Sequence, residues 1–261
     1  LNVEKKFPPM KNAWDVIGKF KNTNMNINIL NGIHDSNASY LYFLNSNLKN
    51  FTLISTGTWY ITLNQKTHIK KLKPSYDMLC GINAFGKSVP TMRFMGGREY
   101  DYLLKKLDVS TKKYSISDEK IKENLIYPSY ASGGPFLKSK QNLKNFKKLN
   151  ASEKYSLICI YIAFVINFVL EKMVCKNDLI FDGPVTNNAD IMELVASLRK
   201  NQKTFKNNKE IGTGLGASIL FNIKKKNNIS LTRINNRNKF DLNSIYKIWL
   251  KEIKKQKLLK T

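Results

Sequence analysis

The apolar residues of the chain fall into short runs and longer periodic stretches, which glycines and polar turns separate. Four short runs have the length and residue content of strands; they cover residues 26–33, 51–54, 59–63 and 178–182. Longer stretches have apolar residues at helical spacing; they cover residues 38–44, 95–107, 152–174, 188–198, 212–222 and 240–253. This mixture of strands and helices predicts an α/β fold.

The most apolar stretch needs a choice between a core helix and a membrane helix. Residues 155–170 read YSLICIYIAFVINFVL, which is shorter than the ~20 residues that cross a bilayer. Asn167 interrupts the run, and Ser152 and Glu153 precede it as a helix start. We therefore expect a buried core helix and no membrane partner.

The composition permits a globular protein. The chain has 261 residues, of which 42% are hydrophobic, and this is enough to fill a core. Its 44 Lys and Arg outnumber 19 Asp and Glu, and a net charge of +25 can indicate a nucleic-acid partner. The lysines are spread along the chain together with many Asn and Ile, as in a general usage bias, so we expect no nucleic-acid partner. A basic nucleic-acid-binding protein stays the alternative, supported by the lysine-rich segment 251–260.

The cysteines indicate a reducing compartment. Cys80, Cys159 and Cys175 are far apart in the sequence and form no C-x-x-C pair. The chain contains only two histidines that could help them bind a metal. We expect a cytoplasmic protein without a metal site made of its own residues. No secretory signal is visible, and the first residue is Leu1 rather than Met, which suggests a fragment.

A carboxylate follows the first predicted strand directly. Gly32 ends this strand in a turn, and Asp35 stands where the next helix begins, after His34. A carboxylate at such a turn can accept a hydroxyl proton as a general base. Capping of the helix by Asp35 is the alternative, and the spacing alone favours the cap.

Three polar turns could hold phosphate groups or a nucleotide. Ser55-Thr56-Gly57-Thr58-Trp59 offers three hydroxyls between two strands, and residues 182–188 (DGPVTNN) and 212–217 (GTGLGA) each precede a helix. Turns of this kind also serve only to pack helices against a sheet.

Residues 81–88 (GINAFGKS) satisfy the phosphate-loop pattern G-x-x-x-x-G-K-[ST]. The pattern has meaning only between a buried strand and a long helix. Here Pro74 lies shortly before it and Val89-Pro90 directly follows it. We expect no phosphate loop at this position.

Taken in order, these segments resemble the FGGY carbohydrate kinases. Residues 7–18, with FPP and AWDVIG, are similar to the end of that family's N-terminal domain, and Gly32 to Asp35 is similar to its G-x-x-D segment. Residues 55–59 resemble its S-x-G-T-W hairpin, and residues 182–188 and 212–217 resemble its two adenosine-side turns. Residues 89–99 (VPTMRFMGGRE) look like a stretch of a rhamnulokinase and fuculokinase-like branch.

The resemblance implies a fold and an activity. The fold would be the ribonuclease H-like, actin-like ATPase domain, with residues 1–25 ending the N-terminal kinase domain and residues 26–261 forming the C-terminal domain. The activity would be transfer of the γ-phosphoryl group of ATP, with Mg²⁺, to a hydroxyl of a sugar or polyol.

The resemblance also assigns roles to residues. Asp35 would be the catalytic base. The ATP-binding residues would be Thr56, Gly57, Thr58, Gly183, Pro184, Asn187 and Gly214. The substrate-binding residues would be His34, Arg93 and Glu99, although the last two could be surface or ion-pair residues.

One part of the family's pattern is absent from this sequence. The N-terminal domain, with its D-x-G-T/S phosphate motif and much of the sugar pocket, has no counterpart here. We therefore expect that the missing N-terminal domain must complete the chain for catalysis. A non-catalytic remnant of such a kinase is a further alternative. Neither the sugar nor the oligomeric state follows from the sequence.

Overall fold

The computed structural model describes residues 3–209, 212–236 and 241–261. They form two compact units. The first unit contains residues 3–48, 82–87 and 212–229, and the second contains residues 49–81, 88–209, 230–236 and 241–261.

The strands and helices of the described residues have the following bounds. The strands are β1 (Val16–Lys21), β2 (Asn26–Leu30), β3 (Phe51–Thr56), β4 (Tyr60–Leu63), β5 (Met78–Ile82), β6 (Ser88–Phe94), β7 (Asp178–Asp182), β8 (Thr204–Asn207) and β9 (Leu231–Ile234). The α-helices are α1 (Asp35–Leu44), α2 (Gly96–Lys106), α3 (Asp118–Glu123), α4 (Ala151–Lys172), α5 (Ala189–Leu198), α6 (Gly212–Ile219) and α7 (Leu242–Lys255). Short 3-10 helices cover Val3–Lys6, Ile69–Lys71, Pro74–Tyr76, Leu143–Lys148, Pro184–Asn187 and Leu220–Asn222.

The first unit combines a β-hairpin with a pair of helices. Strands β1 and β2 are antiparallel, and their register pairs Val16 with Leu30 and Lys21 with Asn26. Helix α1 packs against α6 so closely that a Cβ atom on Gly216 would lie 1.7 Å from the carbonyl oxygen of Ala38. The helix pair therefore depends on a glycine at position 216.

The second unit is built on a mixed sheet with the strand order β5-β6-β4-β3-β7-β8-β9. Strands β3, β7 and β8 are parallel neighbours, and β4, β6 and β9 add antiparallel pairs. Strand β3 pairs Ser55 with Asp182 of β7, so the chain leaves both strands at the same edge of the sheet. The two polar turns that follow these strands are therefore neighbours.

Helix α4 forms the core of the second unit. Asn150 and Glu153 cap its start reciprocally: Asn150 Oδ1 accepts from the Glu153 N–H at 3.0 Å, and Glu153 Oε2 accepts from the Asn150 N–H at 2.9 Å. The helix is long and apolar enough to cross a membrane, but 94% of its apolar window is buried inside the protein. The prediction of a core helix is confirmed.

Aromatic side chains fix α7 against this core. Trp249 is fully buried, and its indole N–H donates to the carbonyl oxygen of Ile126 at 2.8 Å. Its ring lies 5.6 Å from the ring of Phe164 on α4 and 5.9 Å from that of Phe136. Buried indoles of this kind combine a large apolar area with one satisfied donor.

The predicted elements exist, with shifted ends. The first predicted strand ends at Leu30, and the helix after it begins at Asp35 rather than at residue 38. The predicted C-terminal helix over 240–253 runs as α7, and residue 240 lies outside the described residues. Strands β1, β5, β6, β8 and β9 and helix α3 were not predicted from the sequence.

The phosphate-loop pattern lies in a turn between two strands. Residues 81–88 run from the end of β5 to the start of β6, and no long helix follows them. The expectation that this segment is not a phosphate loop is confirmed.

Candidate functional site

Two of the predicted turns meet in the second unit through the hydroxyl of Thr56. Its Oγ1 donates to the carbonyl oxygen of Asp182 at 2.6 Å and accepts from the Val185 N–H at 3.2 Å. Thr56 is the last residue of β3 and is buried, so the hydroxyl lies under the hairpin rather than at its tip. Because its hydrogen is already donated, this hydroxyl joins the two turns and offers no free donor to a phosphate.

Glycines let three backbone segments approach closely at this point. Gly183 has a φ of +85°, and a Cβ atom there would lie 2.1 Å from the carbonyl oxygen of Thr56. A Cβ atom on Gly97, at the start of α2, would lie 2.1 Å from the carbonyl oxygen of Gly57. The hairpin turn, the turn after β7 and the start of α2 therefore form one continuous backbone surface.

A cleft of about 1200 Å³ opens over this surface. Four of the predicted ATP-binding residues line it, namely Gly57, Thr58, Pro184 and Asn187. Residues of the first turns of α2 and α5 line it as well, so two helix N-termini lie at the cleft. Helix N-termini and glycine turns are the usual backbone partners of phosphate.

The cleft contains a polar network that was predicted only in part. Asn188 Nδ2 donates to the hydroxyl oxygen of Tyr100 at 3.1 Å, and Asn188 Oδ1 accepts from the Ile191 N–H at the start of α5. The Tyr155 hydroxyl donates to Asp190 Oδ2 at 3.1 Å. Burial raises the pKa of Tyr100 to about 12, so this hydroxyl stays protonated. The tyrosines come from distant segments, and no local pattern could have assigned them to the cleft.

The cleft also carries charges of both signs. Arg98, Lys105 and Lys112 line it together with Asp101 and Asp190. Arg98 lies on the first turn of α2, beside the hairpin turn that carries Thr58. A cation next to backbone N–H groups is suited to a phosphate group.

Asp35 and His34 lie in the first unit, at the start of α1. His34 occupies the N-cap position and Asp35 is the first residue of the helix. Asp35 Oδ1 accepts from the Ser36 N–H at 2.5 Å and lies 2.8 Å from His34 Nδ1, which is 3.0 Å from Ser36 Oγ. The Asp35 side chain is 75% exposed, so a hydroxyl group can reach it. Gly214, the remaining predicted ATP-binding residue, lies in the same unit on α6.

Arg93 forms a cluster in the second unit. Its guanidinium lies over the Trp59 ring, 4.7 Å from the centroid, and its NH2 nitrogen is 3.7 Å from Asp77 Oδ1. Asp77 Oδ2 in turn accepts from the Gly134 N–H. The Arg93 side chain is 40% exposed, so it pairs with Asp77 and still reaches solvent.

Glu99 does not lie where a substrate could contact it. It is 2% exposed, and it accepts hydrogen bonds from Ser129 Oγ at 2.5 Å and from the Tyr161 hydroxyl. Burial raises the pKa of Glu99, against the opposing effect of these hydrogen bonds. The predicted substrate-binding role of Glu99 therefore needs correction, because its carboxylate is enclosed by the protein's own partners.

Comparison with protein families gives a match over most of the chain. The family model described as "Carbohydrate kinase FGGY, C-terminal domain" matches residues 48–229, which is more than half of the chain. A search of curated proteins finds no match.

Solved structures of similar shape include several kinases. A carbohydrate kinase from Novosphingobium aromaticivorans superposes with a TM-score of 0.76 at 22% identity, over 97% of this chain and 59% of that one. A xylulose kinase from Rhodospirillum rubrum gives 0.67 at 12% identity, over 96% and 57%. A Plasmodium falciparum glycerol kinase with ADP gives 0.57 at 16% identity, over 94% and 55%.

These likenesses confirm the predicted fold, an α/β domain of the ribonuclease H-like, actin-like ATPase class. At these identities they show the fold alone. The chain spans between 55% and 59% of the length of the three structures.

Proposed function

Because this chain belongs to the FGGY carbohydrate kinase family, we propose that it is part of a kinase that transfers the γ-phosphoryl group of ATP to a sugar or polyol hydroxyl. The observation that carries the proposal is the cleft of the second unit, in which two glycine turns and two helix N-termini converge. A phosphoryl-transfer enzyme works mainly by positioning its reactants and by stabilising charge. The cleft offers the groups that this requires.

The nucleotide would lie across this cleft. Gly57, Thr58 and Arg98 of the lining bring backbone N–H groups, a hydroxyl and a cation, which would suit the phosphates. Pro184 and Asn187, which line the cleft from the turn after β7, would contact the adenosine. Thr56 and Gly183 would act beneath the nucleotide, by holding the two turns together. Gly214 lies in the first unit, and its role toward the nucleotide stays a prediction.

Mg²⁺ would arrive with the nucleotide. In such sites it is bound by phosphate oxygens and one or two carboxylates, and it neutralises the charge of the phosphates. The described residues contain no group of three or more His, Cys, Asp or Glu side chains that could hold a metal ion.

Asp35 would accept the proton of the substrate hydroxyl. It is exposed at the start of α1, and His34 Nδ1 lies 2.8 Å from its Oδ1. A general base must have a free oxygen within hydrogen-bond reach of the proton that it removes. Contact with Ser36 and His34 engages Oδ1, and Oδ2 would be the oxygen that takes the proton. His34 would thus orient the base, and Arg93 stays a predicted contact of the substrate.

The proposal also includes a second domain and a class of substrate. An N-terminal domain would complete the site, with residues 1–25 as its end and residues 26–261 as the C-terminal domain. The relatives' names include a carbohydrate kinase and kinases of xylulose and glycerol, so a sugar or polyol acceptor is proposed here. The rhamnulokinase and fuculokinase-like branch and the cytoplasmic location stay predictions.

Nucleotide binding can be tested on the chain alone. We expect calorimetric titration with ADP to give a measurable affinity. Asn187→Asp adds a negative charge to the cleft at almost constant shape, and it should weaken ADP binding about tenfold. Asn201→Asp, on an exposed turn outside the cleft, is the matched control and should change the affinity less than about twofold. Equal affinities of the two variants would count against the cleft.

The role of Asp35 needs the chain joined to an N-terminal kinase domain. In that protein, Asp35→Asn should lower the rate of phosphoryl transfer by at least about a hundredfold, because the general base is lost. ADP affinity should stay unchanged. Full activity of the variant would exclude Asp35 as the base, whereas lost ADP binding would point to a role in nucleotide binding.

A further inference from the structure

The second unit contains another cavity, of about 850 Å³, that the proposed phosphoryl transfer does not use. It shares Tyr102 with the nucleotide cleft, and its other lining residues are different. Tyr102 belongs to α2, which also carries Arg98 and Asp101 into the cleft. The cavity therefore lies beside the cleft and has a lining of its own.

Lysines are concentrated in this cavity. Five of its fifteen lining residues are lysines, which is one third, whereas Lys and Arg together make up 44 of 261 residues, about one sixth. The lysines are Lys106, Lys138, Lys144, Lys147 and Lys154. Asp108 is the single acidic residue among the described residues that line it. The fraction of lysines in the cavity lining is therefore higher than the general lysine bias of the chain accounts for.

These lysines converge from four different segments. Lys106 ends α2, Lys138 lies in the loop before residue 143, and Lys154 lies in the first turn of α4. Lys144 and Lys147 lie three residues apart on the 3-10 helix Leu143–Lys148, so they share one face of it. Convergence of like charges costs repulsion energy, which an anionic ligand would offset.

The remaining wall is held in a defined shape. The rings of Tyr102 and Tyr130 stack with centroids 5.6 Å apart and planes at 21°. Gln141 Oε1 accepts from the Tyr130 hydroxyl at 3.0 Å and from the Tyr127 N–H at 2.9 Å, and Gln141 Nε2 donates to the carbonyl oxygen of Leu125 at 2.6 Å. The tyrosine stack is thereby fixed to the backbone, so this part of the cavity lining has a defined shape.

We propose that this cavity binds a small molecule that carries two or more phosphate groups. Lysine ammonium groups are point charges that bind phosphate oxygens from several directions. The Ser139 hydroxyl and the Asn142 side chain line the same cavity and add neutral hydrogen-bonding groups. A concave site of this volume matches a small ligand, whereas a nucleic acid needs an extended basic groove with stacking aromatics.

Inorganic pyrophosphate is the probe for the test, because it carries the proposed chemistry without a base or sugar. The chain in physiological salt should bind it, measured by isothermal titration calorimetry. The double variant Lys138→Glu with Lys147→Glu should weaken this binding about tenfold or more. The matched control, Lys140→Glu with Lys148→Glu, changes the net charge equally in the same segment but outside the cavity. It should weaken binding less than about threefold.

Three results would overturn the proposal. Equal weakening by the two double variants would show that pyrophosphate responds only to the overall charge, and absence of binding would exclude the site. Displacement of pyrophosphate by a short single-stranded oligonucleotide at equal phosphate concentration would mean that the ligand of the cavity is a nucleic acid and not a small molecule. Asn187→Asp, in the cleft, should leave the lysine-dependent part of pyrophosphate binding unchanged. A failure of the proposed phosphate-binding cavity is therefore distinguishable from a failure of the proposed nucleotide binding in the cleft. Circular dichroism should confirm that all variants fold.

Discussion

Gly183 is a residue whose backbone geometry shapes the cleft of the second unit. Its φ of +85° is unfavourable for any side chain, and a Cβ atom would lie 2.1 Å from the carbonyl oxygen of Thr56. Gly183→Ala should therefore lower the free energy of unfolding by roughly 2–4 kcal/mol. Gly86→Ala is the matched control, since Gly86 has a φ of +73° and a Cβ atom there would meet no other atom within 4 Å. It should cost roughly 1 kcal/mol. Urea unfolding that gives equal losses would disprove the backbone contact.

Glu99 should make the stability depend on pH. Burial raises its pKa above the ordinary value of 4.5, so the folded protein holds this proton more tightly than the unfolded chain does. The free energy of unfolding should then fall as the pH rises from about 4.5 through the raised pKa. Glu99→Gln removes the titrating group, so its stability should decline less as the pH rises above about 4.5.

The control for Glu99 is an exposed acid. Glu123 ends α3 on the surface, and Glu123→Gln should leave the pH dependence as in the unaltered chain. Unfolding free energies from urea titrations at each pH would check this. A Glu99→Gln curve parallel to that of the unaltered chain would mean that Glu99 carries no excess proton in the folded state.

The candidate site was predictable where it is local in sequence. The turns that carry Gly57 and Pro184 have characteristic residues, and both line the cleft. Tyr100 and Tyr155 could not be found in this way, because only the packing of α2 and α4 brings them there. Glu99 was misassigned for the same reason, since nothing in its local sequence indicates that buried partners enclose it.

At the scale of elements, the pair α1 and α6 depends on close helix approach. A glycine inside a helix normally costs up to about 1 kcal/mol relative to alanine. Gly216→Ala should nevertheless destabilise the first unit by roughly 2–4 kcal/mol, because its Cβ atom would lie 1.7 Å from the Ala38 carbonyl oxygen. Ala217→Ser, at an exposed neighbouring position on α6, should change stability by less than about 0.5 kcal/mol. A gain in melting temperature for Gly216→Ala, measured by calorimetry, would contradict this packing.

Elements with a strong period were predictable, and short strands were not. Helices α4 and α5 were recognised from long apolar stretches, within two residues of their ends. Strand β6 contains Pro90, and a proline within a run of residues argues against a strand there. Strands β8 and β9 have four residues each, with polar residues that give no clear alternation. Their pairing partners, rather than their own sequences, make them strands.

At the scale of the whole molecule, the positive charge is a source of self-repulsion. The chain has 44 Lys and Arg and 19 Asp and Glu. If each acidic residue paired with one basic residue, 25 basic residues would have no acidic partner, and this number is the net charge of +25. Screening shortens the range of this repulsion from about 10 Å at 0.1 M salt to about 3 Å at 1 M. The free energy of unfolding should therefore rise between these two sodium chloride concentrations, because the folded chain holds its charges closer together than the unfolded chain.

The cavity with five lysines in its lining allows a specific test of this salt dependence. If its five lysines add to the repulsion, the double variant at Lys138 and Lys147 should gain stability at low salt and show a smaller salt response than the unaltered chain. The control double variant at Lys140 and Lys148 changes the net charge by the same amount on exposed surface. Water screens charges there, so this variant should change the salt response less. Thermal unfolding at both salt concentrations measures this. A stability that falls with salt in the unaltered chain would mean that attractive ion pairs, such as Lys120 with Glu153, outweigh the repulsion.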